Sequence, residues 1–121
     1  MSLANYRSLD VWAKGMDLAE AVYAAAQLMP KQEEYRLTAQ MIRAAISIPA
    51  NIAEGHTRAT RKDYAHFVSI ARGSAAELET LALLAERTKL LPLETARALV
   101  EAAEELGRML NRLHARLRDA P

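Results

Sequence analysis

The chain has 121 residues, a net charge of +1 from sixteen Lys and Arg against fifteen Asp and Glu, and no cysteine. This length predicts one domain, and the lack of cysteine excludes disulfides and thiolate metal sites and favours a cytoplasmic protein. The balanced charge excludes strong whole-molecule attraction to nucleic acid, so any such binding requires local basic clusters. Because no apolar run approaches the ~20 residues that span a bilayer, and no signal-peptide pattern is present, we expect no membrane association.

The first two predicted helices are separated by a proline. Apolar residues at three- and four-residue steps predict helix one over residues 8–29, with Ser8 as its N-cap and Leu9, Trp12, Met16 and Tyr23 on its buried face. Pro30 ends this helix. The same periodicity predicts helix two over residues 33–54, and Gly55 is expected to close it in a left-handed C-cap turn.

The last two predicted helices are also delimited by capping residues and a proline. Helix three is predicted over residues 60–89, where Thr60 and Asp63 have the spacing of a weak capping box. Helix four is predicted over residues 92–118, because Pro92 suits a first helical turn and a leucine stripe follows it. No alternation typical of strands appears.

Four helices of similar length predict an all-α protein, an up-down-up-down four-helix bundle with left-handed antiparallel packing. Apolar residues also lie off the main stripes. A single bundle is not expected to bury all of them, so we expect self-association. These off-stripe residues are Leu18, Val22, Leu28, Ile46, Ile70, Leu83, Val100 and Met109.

The segment SIPANIAEG, residues 47–55, is predicted to be a bent, packed helix end. Pro49 cannot donate to the carbonyl of Ala45, which predicts a kink in helix two. Asn51 is expected to bond to a freed backbone group or to the indole of Trp12. Glu54 is expected to pair with Arg58 or Arg61. We favour this structural interpretation over a catalytic one, because no histidine lies near Ser47 in sequence to act as a base.

The segment ARGSAAELE, residues 71–79, places a glycine inside helix three. The cost of Gly73 in a helix interior suggests that another helix approaches closely there. Counting from the preceding turn places this segment beside residues 40–43, so Glu77 is expected to pair with Arg43.

These segments together carry a family resemblance. With LDVW at residues 9–12 and QMIRAAISIPANIAEG at residues 40–55, the chain resembles the four-helix-bundle proteins encoded in intervening sequences of bacterial 23S ribosomal RNA genes. The resemblance implies a homo-oligomer, a pentamer, but no activity, because the family is named for the position of its genes. This chain departs from the family's adjacent arginine pair, since it has Ile42 before Arg43.

Two basic clusters are the candidate binding residues. They are Arg58, Arg61 and Lys62 at the start of helix three, and Arg108, Arg112 and Arg116 in helix four. Each has an ordinary interpretation as a solvated surface, and cations also favour a helix C-terminus. The alternative is a phosphate-binding surface for structured RNA or DNA. No aromatic residue is interleaved in either cluster, which disfavours base stacking.

Metal and catalytic sites have little support in this sequence. Only Asp63 and His66 have the acid–histidine spacing of a di-iron bundle, and no phosphate-binding glycine loop is present. We therefore expect no cofactor, no metal, no small-molecule substrate and no enzymatic activity. The sequence favours a homo-oligomeric scaffold that binds nucleic acid weakly, and the alternative is a protein-interaction module.

Overall fold

The computed structural model describes residues 5–119, which form four α-helices in a bundle. The helices are α1 (Asp10–Ala26), α2 (Leu37–His56), α3 (Arg61–Arg87) and α4 (Leu93–Asp119). Two short 3₁₀ turns, Tyr6–Ser8 and Lys31–Glu33, precede α1 and α2. No strand occurs within residues 5–119, so the all-α prediction is confirmed.

The short connections make each helix turn back along the one before it. Four residues join α2 to α3 and five join α3 to α4, too few for a crossover along the bundle. α3 packs extensively on both α2 and α4, whereas α1 contacts α4 the least of the neighbouring pairs. The seam between α1 and α4 is therefore the most open one. The handedness of the packing stays a prediction.

The core consists of Leu, Ile, Val, Met and Ala side chains, as the composition predicts. The most deeply buried large side chains are Ile48, Ile52, Leu78, Leu106, Leu110, Val22 and Val68. Of the off-stripe apolar residues, Leu18, Val22 and Val100 are buried, but Leu28, Ile46 and Ile70 are exposed. The bundle thus buries part of this set and leaves part of it on the surface.

The predicted buried face of α1 is right only in part: Leu9 and Trp12 pack against the core but are half-buried. Val11, Gly15, Leu18 and Val22 face the core, whereas Met16 and Tyr23 are exposed. Residues adjacent in sequence lie about 100° apart around a helix, so two apolar stripes coexist in α1. The stripe with Gly15 packs against α2, where a Cβ at Gly15 would make an ordinary van der Waals contact 3.4 Å from the Pro49 Cβ.

Both α1 and α2 begin later than predicted. Ser8 lies in the first 3₁₀ turn, where its hydroxyl donates to the Asn5 carbonyl over 2.8 Å, and Leu9 is the N-cap of α1. Glu33 lies in the second 3₁₀ turn, so α2 starts at Leu37. The predicted N-cap of α3 is confirmed, because the Thr60 hydroxyl accepts from the Asp63 N–H over 3.1 Å.

Gly55 is not the predicted left-handed C-cap. It is buried inside α2, which continues to His56, and no glycine among residues 5–119 has a positive φ. A Cβ on Gly55 would lie 2.7 Å from the Phe67 Cβ and 3.2 Å from the Tyr64 carbonyl oxygen. Glycine is needed here because α3 passes against the α2 backbone, not because of the backbone conformation.

Pro49 lies within a continuous helix and is fully enclosed by packing. Asn51 does not bond to the carbonyl of Ala45, nor to the indole of Trp12. Its amide donates to the Ser47 carbonyl over 2.8 Å and to the Ser47 hydroxyl over 2.9 Å. Ser47 lies four residues before Asn51 on the same helix, so the Asn51 amide reaches its oxygens without a partner from α1. The kink at Pro49 stays a prediction.

Trp12 packs against a different neighbour from the one expected. Its ring meets the ring of Tyr6 edge-on, with 5.4 Å between centroids. The 3₁₀ turn before α1 brings Tyr6 back over the helix, which covers the indole locally. Trp12 therefore anchors the N-terminal turn.

Of the small residues in ARGSAAELE, Ser74 and not Gly73 contacts α2. Nothing lies within 4 Å of a Cβ built on Gly73, although a helix-interior glycine costs ~1 kcal/mol relative to alanine. Ser74 faces α2 instead, and its hydroxyl donates to the Ser47 hydroxyl over 2.8 Å. Arg43 and Glu77 are both exposed and form no ion pair with each other. That predicted pair is wrong.

Candidate nucleic-acid interface

The antiparallel fold brings the two predicted basic clusters, except Arg108, to one end of the bundle. The guanidinium of Arg61, in the first turn of α3, donates to the carbonyl oxygen of Arg116, near the end of α4, over 3.2 Å. These residues are 55 positions apart in sequence. The contact places the positive charge of Arg61 beside the last turns of α4, an arrangement that the helix dipole favours.

This end of the molecule, here called the basic end, consists of residues 5–12, 54–66 and 112–119. Seven of the sixteen Lys and Arg but only four of the fifteen Asp and Glu lie in these segments, an excess of three positive charges. Since the whole chain has a net charge of +1, the remainder carries an excess of two negative charges. The net charge near zero therefore hides an uneven distribution of charge, with the positive excess at the basic end.

The cationic side chains of the basic end differ in the contacts that their charged groups make. Arg58 pairs with Glu54 over 2.8 Å, one of the two partners expected for Glu54, and its guanidinium lies 4.7 Å from the centre of the Phe67 ring. Lys62 is exposed at the first turn of α3. Within residues 5–119, no carboxylate lies within 4.0 Å of the charged groups of Arg61 or Lys62.

The three arginines of α4 do not share one surface. Arg112 and Arg116 line a shallow cavity of about 210 Å³ between α4 and the start of α1, together with Asp10. Arg108 lines a separate groove beside Arg72 on α3. Four residues advance a helix by about 400°, so each step turns the row by about 40° and the row drifts from the α3 side to the α1 side.

The pKa of His114 is affected by arginines at this end of the bundle. Burial, followed by the charges of Arg72 and Arg118, lowers the pKa of His114 below its ordinary value of 6.5, against an opposing effect of Asp119. Sequence analysis missed these residues. The spacing of His114 and Arg118 gives a local signal, whereas the proximity of Arg72 depends on how α3 packs against α4.

Aromatic side chains lie beside the basic residues, contrary to the sequence expectation. Burial raises the pKa of Tyr64, while the charge of Arg116 acts in the opposite direction, which places that arginine near the phenol. The Tyr64 ring meets His56 edge-on, with 5.4 Å between centroids. Because Tyr64 and Phe67 are half-buried and packed, they present little free face for base stacking.

The described residues contain neither a candidate metal-binding cluster nor a helix that could span a membrane. Residues 5–119 contain no group of three or more His, Asp or Glu residues arranged to hold a metal ion. In the same part of the chain, no helix combines the length and apolar composition that crossing a membrane requires.

Comparison with known proteins agrees with the fold. Residues 7–112 match the family profile described as 23S rRNA-intervening sequence protein. The chain belongs to this family. A solved structure is also similar, with a TM-score of 0.80 and 26% identity over 86% of this chain and 97% of the other. It is the 1.70 Å crystal structure of a protein of unknown function from the S23 ribosomal protein family of Bacteroides thetaiotaomicron VPI-5482. No curated protein matches the chain.

Proposed function

We propose that this protein is a non-catalytic, homo-oligomeric helical-bundle scaffold that binds structured RNA or DNA weakly through its basic end. The observation that carries the proposal is the contact between Arg61 and Arg116, which brings the start of α3, with Lys62, beside the end of α4. A phosphate backbone there meets several cations together, and release of its counterions favours binding.

The mode of recognition that fits this surface is contact with the phosphate backbone. Arg112, Arg116 and Lys62 have no carboxylate within 4.0 Å in the described part of the chain, so their charges are available. Tyr64 and Phe67 are engaged in packing, which leaves stacking on unpaired bases without a platform. Shape and charge would therefore select a structured nucleic acid over a specific base sequence.

Self-association is the second part of the proposal. Leu28, Ile46 and Ile70 are exposed although they are large and apolar, and burial between copies would remove that surface from water. The family resemblance makes a pentamer the expected assembly. Each copy would add one basic end, so the assembly would multiply weak phosphate contacts. A cytoplasmic location without cofactor or substrate completes the proposal.

A protein-interaction module is the second candidate function. Exposed apolar side chains are concentrated at the end of the bundle opposite the basic end: Tyr23, Leu28, Tyr35, Leu84 and Leu93. Such a surface suits a protein partner, and the arginines would then serve only solubility. This candidate predicts association that depends little on salt.

The two candidates separate in a binding experiment with labelled structured RNA and duplex DNA, followed by fluorescence anisotropy. Replacing Arg112 and Arg116 by glutamate should abolish binding at physiological salt. The matched control replaces Arg87 and Lys89 by glutamate, the same change of charge at the opposite end, and should bind nearly as well as the wild type. Equal losses in the two variants would mean that total charge, and not the basic end, governs binding.

A further inference from the structure

The outer side of α2 is almost uncharged, although it lies at the surface of the bundle. Only Arg43 and Glu54 among the twenty residues of α2 are Asp, Glu, Lys or Arg, whereas α4 has ten such residues among twenty-seven. Exposed or half-buried apolar residues recur on this side at three- and four-residue steps: Ala39, Ile42, Ile46, Ala50 and Ala53. A helix that is apolar around most of its circumference is normally buried, so a single chain leaves α2 incompletely covered.

The second apolar stripe of α1, which contains Met16, lies beside this side of α2. Successive residues are about 100° apart around a helix, so Lys14 and Met16 lie on opposite sides of Gly15. Lys14 lines a cavity that α1 shares with α4, hence the exposed Met16 is on the side toward α2. We call the combined surface the α1–α2 face; it consists of Met16, Ile42, Ile46 and Ala53.

An apolar groove opens on the other side of α1. Two adjoining cavities of about 430 and 330 Å³ lie along the seam between α1 and α4, and both are lined by Ala21 and Ala98. We call the two together the α1–α4 groove. The remaining apolar residues of its walls are Leu18, Ala24, Ala25, Leu28, Leu99 and Ala102. Its charged residues are mainly acidic, with Asp17, Glu94 and Glu105 against Lys14.

We propose that the α1–α2 face of one copy packs into the α1–α4 groove of the next copy, so that each chain contacts two neighbours in a closed ring. The proposal rests on the self-association in the proposed function and names the surfaces that form it. Because two different surfaces meet, the contact is heterologous, and repeated rotation closes a ring. Both surfaces adjoin α1, so α1 faces the ring axis and α3 faces outward.

The angle between the two surfaces is compatible with the five-fold assembly. Adjacent sides of a four-helix bundle are about 90° apart, because its helices are arranged in a square. A ring of five requires about 108° between the two contact directions of a subunit, a ring of four about 90° and a ring of three about 60°. Five-fold closure therefore needs only a small departure from the right angle.

The heights of the two surfaces along the bundle also match. In a ring whose axis runs along the helices, all copies lie at one height, so residues meet at their own level. Gly15 lies beside Pro49, which fixes the level of α1 against the antiparallel α2. Three residues further along α1 and three residues back along α2, Leu18 is level with Ile46. Leu18 lines the α1–α4 groove, so Ile46 of one copy lies at the height of the groove of the next.

The charges at the same height are complementary. By the same count Arg43 is level with Ala21, where the two cavities of the groove adjoin. Asp17 is four residues from Ala21 and Glu94 is four residues from Ala98, about 6 Å along each helix. Within residues 5–119, none of Arg43, Asp17 and Glu94 forms an ion pair. The cation of the α2 surface therefore meets the acidic rim of the next copy.

Cysteine cross-linking tests this contact, since the chain has no cysteine of its own. Ile46→Cys protein is refolded from urea together with Ala98→Cys or Ala102→Cys protein, without nucleic acid, and then oxidised. We expect a two-chain product with at least one groove variant, and none when any variant is oxidised alone. The matched control, Gly73→Cys on α3 mixed with the same groove variants, should give no product.

The outcomes separate this interface from the proposed function. A two-chain product from Ile46→Cys alone would show a two-fold contact and overturn the heterologous one. No product with either groove variant, when light scattering shows that the wild type is assembled, overturns this interface and leaves self-association intact. A wild type of single chains overturns both. None of these results bears on RNA binding at the basic end.

Charge reversal tests the interface without engineered thiols. Arg43→Glu should raise by about tenfold or more the chain concentration at which half of the particles dissociate, because like charges then face each other. Adding Asp17→Arg and Glu94→Arg to the same chain should restore the wild-type value, whereas the control Arg87→Glu alone should leave it unchanged. An Arg43→Glu protein that assembles like the wild type, or a loss without rescue, would contradict the pairing of Arg43 with the acidic rim.

Discussion

Glycine has two different roles in this chain, and the neighbouring atoms distinguish them. Gly55 is enclosed by α3, whereas Gly73 is open to solvent, although both lie inside helices. Sequence alone treats them alike, since each is a helix-interior residue of poor propensity. The Cβ distances predict opposite effects of the same substitution on the stability of a single chain.

Gly55→Ala should destabilise the fold. The new Cβ would lie 2.7 Å from the Phe67 Cβ, so α2 and α3 must separate. Overpacking typically costs about 1–3 kcal/mol and the gain in helix propensity is about 1 kcal/mol, so we expect a net loss of up to about 2 kcal/mol in unfolding free energy. Urea denaturation measures it. The control, Gly15→Ala, makes only an ordinary 3.4 Å contact and should lose less; an equal loss would contradict the account.

Lys89→Gly should stabilise the fold. Lys89 has φ 59°, and the N–H groups of Lys89 and Leu90 donate to the carbonyls of Glu86 and Ala85, which forms a Schellman motif at the end of α3. Glycine avoids the Cβ strain of this conformation at some cost in unfolded-state entropy, so we expect a gain of about 0.5–1 kcal/mol.

The control for that substitution is Lys89→Ala, which removes the lysine side chain but keeps the Cβ. It should give no comparable gain in thermal or urea denaturation. If alanine stabilised as much as glycine, the backbone conformation of residue 89 would not be the cause.

Among the elements of the described residues 5–119, α2 and α3 are joined by a polar cluster that links the middles of the two helices. Ser47 accepts from both Ser74 and Asn51 in a half-buried setting. A hydroxyl left there without its partner costs about 1–3 kcal/mol. The cluster fixes the level at which the two helices meet, because the Ser74 hydroxyl of α3 reaches the Ser47 hydroxyl of α2 at only one level.

Ser47→Ala should destabilise the chain more than Ser74→Ala, by about 1–2 kcal/mol overall, because it removes an acceptor from two donors. In the double variant neither hydroxyl remains to be left unpaired, so the combined loss should be smaller than the sum of the two. Urea denaturation of the four proteins in this cycle gives the coupling energy. Strict additivity would contradict a direct Ser47–Ser74 hydrogen bond.

Elements with local signals could be predicted from the sequence, and contacts between elements could not. The Thr60 cap was predictable because its partner lies three residues away. The buried face of α1 was not, because it has two apolar stripes and neither carries a local signal of which one packs against α2. The meeting of Arg61 with Arg116 required the fold, since neither residue carries a local signal of the other.

At the scale of the whole molecule, the positive charge is concentrated at the basic end, which contains His114. Its lowered pKa means that the folded chain resists a proton which the unfolded chain accepts near pH 6.5. The unfolding free energy should therefore fall as the pH drops below about 6.5, since more protons then bind to the unfolded chain.

The titration of His114 can be followed by NMR of its imidazole protons. We expect a midpoint below 6.5 in the wild type and a higher one in Arg118→Gln, because that change removes a nearby positive charge. Bound RNA should also raise the midpoint, since phosphates favour the imidazolium. An unchanged midpoint in Arg118→Gln would show that the arginine does not act on His114.

The measurement that tests the central claim most directly is the affinity of the wild type for a labelled structured RNA as a function of salt concentration. The account predicts binding at low salt and a linear fall of log affinity with log salt, with a slope that shrinks by about one for each cation removed from the basic end. No binding at low salt, or an affinity independent of salt, would contradict it and leave the apolar end as the functional surface.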